Sequence, residues 1–279
     1  MAPPLLARSR VRNLLRRYHR ILLRSSWASA FSLLVSQGHA APRWVARSVT
    51  LPEHDWAFDF GLGIGHFDAP DPPTGAGMNV EMAVGVTRNL ELGVREGFRF
   101  GSEGRATRAN EYGRLFDRQT FGTNQDELAN PEFRMRGRLV DGPTVELALE
   151  GRAALPIEQG SELALQFGMP VWFRLGRSVR LDTGVYVPVA FYEPTRVSLS
   201  APLDVWIQCS PALWLGPMTG VRITRQGESE RTDVSLGFGF GYSLGRAADF
   251  KAMALAPRVN QEQGARTFGV GVGFQVRIE

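Results

Sequence analysis

Cysteine is almost missing from these 279 residues. Cys209 stands alone, so no intrachain disulfide can form in any redox compartment. It falls on an apolar row and reads as a small hydrophobe. Lysine is equally scarce, with Lys251 the only one, and arginine carries nearly all the positive charge. Beyond residue 40 the only histidines are His54 and His66. One cysteine and two scattered histidines do not make a metal site, and no cofactor motif accompanies them. No uninterrupted apolar run reaches about 18 residues, which excludes an ordinary transmembrane helix. Acidic residues are absent from residues 1–40, which hold seven arginines: Arg8, Arg10, Arg12, Arg16, Arg17, Arg20 and Arg24. The net charge is +4, so residues 41–279 carry −3. A nucleic-acid partner would rest on those leading arginines alone and is not expected.

Residues 1–40 have the layout of a cleavable secretory signal. A basic stretch precedes an apolar one near Trp27–Val35, and Gly38-His39-Ala40 supplies small residues at the cleavage-reading positions. Residues 41–55 then read as a periplasmic lead segment.

What the chain has in quantity is alternation. In Phe268-Gly269-Val270-Gly271-Val272-Gly273-Phe274-Gln275-Val276-Arg277-Ile278 every even position is large and apolar, and every odd one is Gly, Gln or Arg. Period two makes this a strand with one apolar face and one small or polar face. Trp56–His66 repeats the device, with Trp56, Phe58, Phe60, Leu62 and Ile64 on one side and Asp59, Gly61, Gly63 and Gly65 among those on the other. Its Gly61-Leu62-Gly63-Ile64-Gly65 is no phosphate loop, because no helix follows.

The pattern predicts twelve strands between residues 56 and 278, in one all-β domain spanning 56–279. Strand eight is expected over about Leu203–Leu215, with Cys209 on its apolar row and Gly216-Pro217 as the following turn. Residues 192–200 are expected as a loop. Strand nine reads as short and weak, and strand eleven, Phe250–Ala256, has muddled alternation. Connections after even strands are short, and those after odd strands are longer on average, the longest being 101–131. Short turns at one end, longer loops at the other and an even strand count match a transmembrane antiparallel up-and-down β-barrel, with both termini at the short-turn end. A closed barrel leaves no strand edge unpaired in hydrocarbon. The outward rows carry almost no charge, whereas the opposite face is glycine on strands one, ten and twelve and crowded with charge on strands four to seven. The greasy residues Phe60, Phe238, Phe268 and Phe274 are therefore expected outside.

On the inner face, opposite charges suggest registers. Strands two and three place Glu81 opposite Arg95. Strands four and five place Glu132 opposite Arg152, Arg134 opposite Glu150 and Arg138 opposite Glu146. Strands six and seven place Arg174 opposite Asp182. Arg136 and Arg180 are left without a direct carboxylate partner. These lumen-lining candidates form either a positive track that favours anions or a paired filling of the lumen. The glycine wall gives room for a solute or for an inserted plug, such as part of residues 101–131, or simply permits bending. Pro170, Pro188 and Pro211 fall in strands, where they require bulges or strand ends. Trp172, Trp206 and Trp214 narrow the lumen, while Trp44 and Trp56 suit the membrane interface. A lipid hydrolase built on His54 or His66 lacks a nucleophile placed beside either.

With this leader, strand pattern and final strand, residues 56–278 resemble bacterial outer-membrane β-barrel proteins of the porin-like or transporter-like kind. The resemblance implies integral residence in a bacterial outer membrane, contact with membrane lipid and lipopolysaccharide, and insertion by the outer-membrane assembly machinery. It implies a passive pore or transporter component for small solutes. A structural barrel with a filled lumen and a lipid-modifying barrel enzyme are the alternatives. Such proteins usually end on an aromatic residue. This chain ends Val276-Arg277-Ile278-Glu279, with Phe274 the nearest aromatic.

Overall fold

The computed structural model describes residues 43–66, 74–100, 131–157, 162–261 and 268–279. The expected signal at 1–40 and the bulk of the expected plug at 101–131 lie outside them. Twelve strands form one closed antiparallel barrel in which each strand pairs with its neighbours in sequence. They are β1 (Trp56–His66), β2 (Thr74–Thr87), β3 (Leu90–Phe100), β4 (Glu132–Asp141), β5 (Val145–Ala154), β6 (Ala164–Leu175), β7 (Val179–Ala190), β8 (Arg196–Gln208), β9 (Leu213–Gln226), β10 (Ser229–Leu244), β11 (Ala248–Ala256) and β12 (Phe268–Ile278). β1 and β12 close the ring from Trp56–Ile278 to His66–Phe268 without interruption. Closure satisfies the backbone of both terminal strands, which an open sheet would leave exposed.

Most of the large apolar residues point outward. Phe60 is 40% exposed, Phe238 48% and Phe268 50%, and Phe274 on the same row as Phe268 is half-buried. The buried side chains are the ones facing inward, and many are charged. This arrangement inverts the usual soluble pattern of an apolar core beneath a polar surface.

Two expectations fail in the second half. The turn after β8 is 209–212, so Cys209 is an exposed turn residue and Pro211 lies outside any strand. Gly216 and Pro217 sit within β9, which is long, and residues 196–200 belong to β8. The cause is parity. The four-residue turn leaves odd positions facing outward on both sides, so the alternation runs straight through it. Second, β9 and β10 are joined by a two-residue hairpin at Gly227-Glu228, with Gly227 at φ 58°. The long-loop end therefore has one tight turn. β11 is a strand where one was expected, and its alternation is muddled because its outward residues are mostly alanines, while Met253 and Leu255 point inward and are buried.

Candidate functional site

The registers decide what the inner charges do. Glu81 faces Arg95, as expected. On β4 and β5 the register differs by two residues. Arg134 faces Arg152, Arg136 faces Glu150, and Arg138 faces Ala148 before a bulge. On β6 and β7, Arg174 faces Arg180 and Trp172 faces Asp182. The expected pairs Glu132–Arg152, Arg134–Glu150, Arg138–Glu146 and Arg174–Asp182 are not formed as direct neighbours; Glu132 faces Ala154 and meets Arg152 only diagonally. Opposite charge had favoured them, but long arginine side chains reach diagonal carboxylates, so direct opposition is not needed.

The resulting network is nearly continuous from β2 to β7. Arg95 Nε donates to Glu81 at 2.8 Å, and Arg134 Nη2 lies 2.9 Å from Glu81 and 2.7 Å from Glu91. Glu150 takes Arg136 at 2.5 Å and Arg152 at 2.6 Å, and Arg152 also reaches Glu132 at 3.0 Å. Arg174 pairs with Glu146 at 2.5 Å and Arg180 with Asp182 at 2.6 Å. Arg136 and Arg180, expected to lack carboxylates, both have them. The anion track is thus largely a paired network.

Much of it holds a segment of the chain itself. Residues 43–52, read from sequence as the lead into β1, run inside the short-turn end of the barrel. A short 3-10 turn, Trp44–Ala46, begins the strap. Its irregular backbone has no sheet to satisfy it, and side chains of the wall do so instead. The N–H groups of Val45, Val49 and Leu51 donate to Gln208 (3.3 Å), Glu146 (2.6 Å) and Glu91 (2.7 Å). The carbonyls of Trp44, Arg47 and Val49 accept from Arg180, Arg174 and Arg136, each at 2.9 Å. Arg138 Nη1 donates to Ser48 Oγ at 2.7 Å and Nη2 to the turn carbonyl of Arg88 at 2.8 Å. Arg47 completes the seat with two bonds to Asp249, at 2.5 and 2.9 Å.

The other half of the seat is apolar. Trp206, Trp214, Met218, Met253 and Leu255 form a buried cluster around Val45, with Trp44 packed on it. Trp44 stacks on Trp214 with ring centroids 4.6 Å apart and planes 3° from parallel. Trp44 is therefore a lumen residue and not a membrane-interface anchor. The glycine wall is not bare here: a Cβ on Gly241 would lie 2.1 Å from the Trp214 ring, so glycine makes room for the platform. Gly85 serves the strap likewise, since a Cβ there would lie 1.9 Å from the Pro52 carbonyl oxygen. Its N–H also donates to the Asp55 carbonyl at 2.9 Å, and its carbonyl accepts from His54 N at 2.7 Å. Gly85→Ala is expected to lift the strap's C-terminal end, read as faster hydrogen exchange at the Val49 and Leu51 N–H groups. Exchange identical to the parent's would show that this contact does not position it.

Glu91, Arg47 and Asp249 were not singled out in sequence. Glu91 sits in the same alternation as Arg95 and was available from it. Arg47 could not be found, since nothing in its neighbourhood repeats. Asp55, where the strap enters β1, has its carboxyl raised above the usual range, by burial first and by the nearby Glu279, with Arg277 opposing. His54 and His66 flank opposite ends of β1, so they cannot share one site. Among the described residues no group of His, Cys, Asp and Glu could hold a metal ion. A cavity of about 480 Å³ remains beside the strap, bordered by Trp44, Arg136, Glu81, Asp59, Tyr186 and Trp172 among others.

No protein-family model matches the chain, and no curated protein matches it in sequence. In fold it is similar to an outer membrane channel from Pseudomonas putida F1, with a TM-score of 0.62 and 11% identity over 88% of this chain and 100% of that one. It is also similar to the KdgM porin, with a TM-score of 0.54 and 7% identity over 80% of this chain and 99% of the porin. The chain has the barrel fold of these outer-membrane proteins.

Proposed function

We propose that this chain, a closed twelve-stranded barrel with the fold of outer-membrane channels and porins, is an integral outer-membrane pore that passes small solutes passively. Residues 43–52 narrow its periplasmic mouth. The observation that carries the reading is the pairing of an apolar exterior with a charge-lined interior that still holds a cavity of about 480 Å³ beside the strap. A polar lumen inside a lipid-facing ring is what water and small hydrophilic solutes need to cross hydrocarbon. The short turns and both ends of the barrel domain face the periplasm in this reading, and the final strand Phe268–Ile278 is the segment offered to the assembly machinery. Lipopolysaccharide surrounds the long-loop end.

The test is conductance of the purified full chain in planar bilayers, where discrete current steps are expected. Silence at every voltage would defeat the pore. Membrane residence has its own check. Phe238→Arg, on the exposed face near the middle of β10, should cost about 2–4 kcal/mol of stability in lipid vesicles, read from the urea unfolding midpoint. A negligible shift would place that face in water. A structural barrel with a filled lumen is the second reading, and the strap is the observation that favours it. Its mark would be a strap-deleted chain that is as silent as the parent.

A further inference from the structure

We propose that Asp59, Gln275 and Lys251 form a register lock, which selects how β1 and β12 pair when the ring closes and rejects a slipped pairing in which Asp59 meets Arg277. The inference goes beyond the pore reading and does not depend on it.

The seam has little else to choose its register by. Its inward pairs are Ala57–Arg277, Asp59–Gln275, Gly61–Gly273, Gly63–Gly271 and Gly65–Gly269. From Trp56–Ile278 to Ile64–Val270 its outward pairs are all large and apolar. A slip of two residues keeps every side chain on its face, and glycine-rich strands specify register weakly. Glycine would meet glycine again, and one large apolar residue would replace another. In one slipped register Asp59 stands opposite Gly273 and gains nothing. In the other it stands opposite Arg277, which offers an ion pair. That second register is the competitor. A slip at closure also changes the stagger of the whole ring, to which its diameter is tied.

The structure meets the competitor on two sides. Asp59 is the only inward residue of β1 with a side chain larger than a methyl group. Lys251 Nζ donates to its Oδ1 at 3.1 Å, and Gln275 Nε2 donates to its Oδ2. Gln275 is the direct partner of Asp59 on β12. Lys251 stands on β11 opposite Gly273, whose missing side chain leaves the lysine a path across β12. Lys251 is the one lysine of the chain and is 6% exposed. A compact ammonium on a flexible stem suits that narrow crossing better than a planar guanidinium. Arg277 is meanwhile engaged below. It lies 3.1 Å from Asp249, and its Nη2 donates to the Arg246 carbonyl at 2.9 Å. Asp249 also holds Arg47 of the strap. None of these groups belongs to β1, so this lower cluster occupies Arg277 without reading where β1 sits.

Disulfide trapping reads the register. In a Cys209→Ser background, Leu62→Cys with Val272→Cys reports the observed pairing, and Leu62→Cys with Phe274→Cys reports the slipped one. In the observed register the second pair is diagonal, about 7–8 Å apart, beyond the roughly 4.4–6.8 Å that a disulfide spans. The full chain is folded into lipid vesicles and oxidised, and linked peptides are quantified by mass spectrometry. With the lock intact, the first pair should link and the second should not. Lys251→Met should raise the yield of the second bond at least fivefold and lower that of the first. Lys251→Gln, a milder change that still offers Asp59 a donor, should give an intermediate yield. Exchanging the charges, Asp59→Lys with Lys251→Asp, should return the first bond alone, because Gln275 can turn its amide and a lysine at position 59 repels Arg277. Folded Lys251→Met and Lys251→Gln chains that give only the first bond overturn the lock. So does an exchanged chain that still gives the second, since an effect of lost packing would not respond to charge.

Discussion

Deleting residues 43–50 should raise single-channel conductance severalfold over the full chain. The strap runs across the short-turn end, and its main chain is held by Gln208, Glu146, Glu91, Arg180, Arg174 and Arg136. Without it those side chains face an open mouth. They lose their peptide partners to water and not to hydrocarbon, so the deletion has a modest cost in stability while its effect on current is large. The apolar half of the seat responds differently. Trp214 and Met218, now fully buried, would be wetted once Trp44 and Val45 leave. An intermediate variant, Arg47→Ala, removes the paired bonds to Asp249 and should give brief openings with the full-chain closed level retained. Identical current amplitudes in the parent and the deletion would mean that the strap does not limit flow, and the pore would need another constriction.

Glu150→Ala should be the most destabilising single change in the wall, at about 3–5 kcal/mol. This carboxylate is buried and serves two guanidiniums, Arg136 and Arg152, at 2.5 and 2.6 Å. Removing it leaves a buried cation, Arg152, and a half-buried one, Arg136, which among the described residues keeps its bond to the Val49 carbonyl and a Glu91 oxygen 4.0 Å away. The other carboxylates cannot move over, because Glu132 already holds Arg152 and Arg95. The measurement is the urea midpoint in lipid vesicles, with Leu149→Ala on the lipid face of the same strand for comparison. A loss below about 1 kcal/mol would show that water in the lumen screens the pair as it does a surface one.

The strands themselves were open to sequence reading. Phe268–Ile278 and Trp56–His66 are strands with the bounds their alternation suggested. Their faces were equally legible, because period two assigns every residue to one side or the other. Where alternation misled or merely weakened, the reason was local. A four-residue turn at 209–212 preserved parity, and the alanines of β11 gave its outward row little contrast. The charged network was visible as a set of residues but not as a set of pairs. Arg136 and Arg180 looked unpartnered because pairing was sought only straight across the ladder, whereas Arg180 is held by Asp182 two residues along its own strand.

The sequence by itself determined that the chain makes a ring of strands with its apolar side outward and its charges enclosed. That follows from a period of two sustained over about ten residues per segment, a local property of the backbone. Register and the strap's place in the lumen were decided only by the tertiary structure. A shift of two residues keeps every side chain on its face, so alternation cannot choose between registers. Residues 43–52 carry no period at all. Their main chain is fixed by hydrogen bonds with six strands that come together only when the barrel closes.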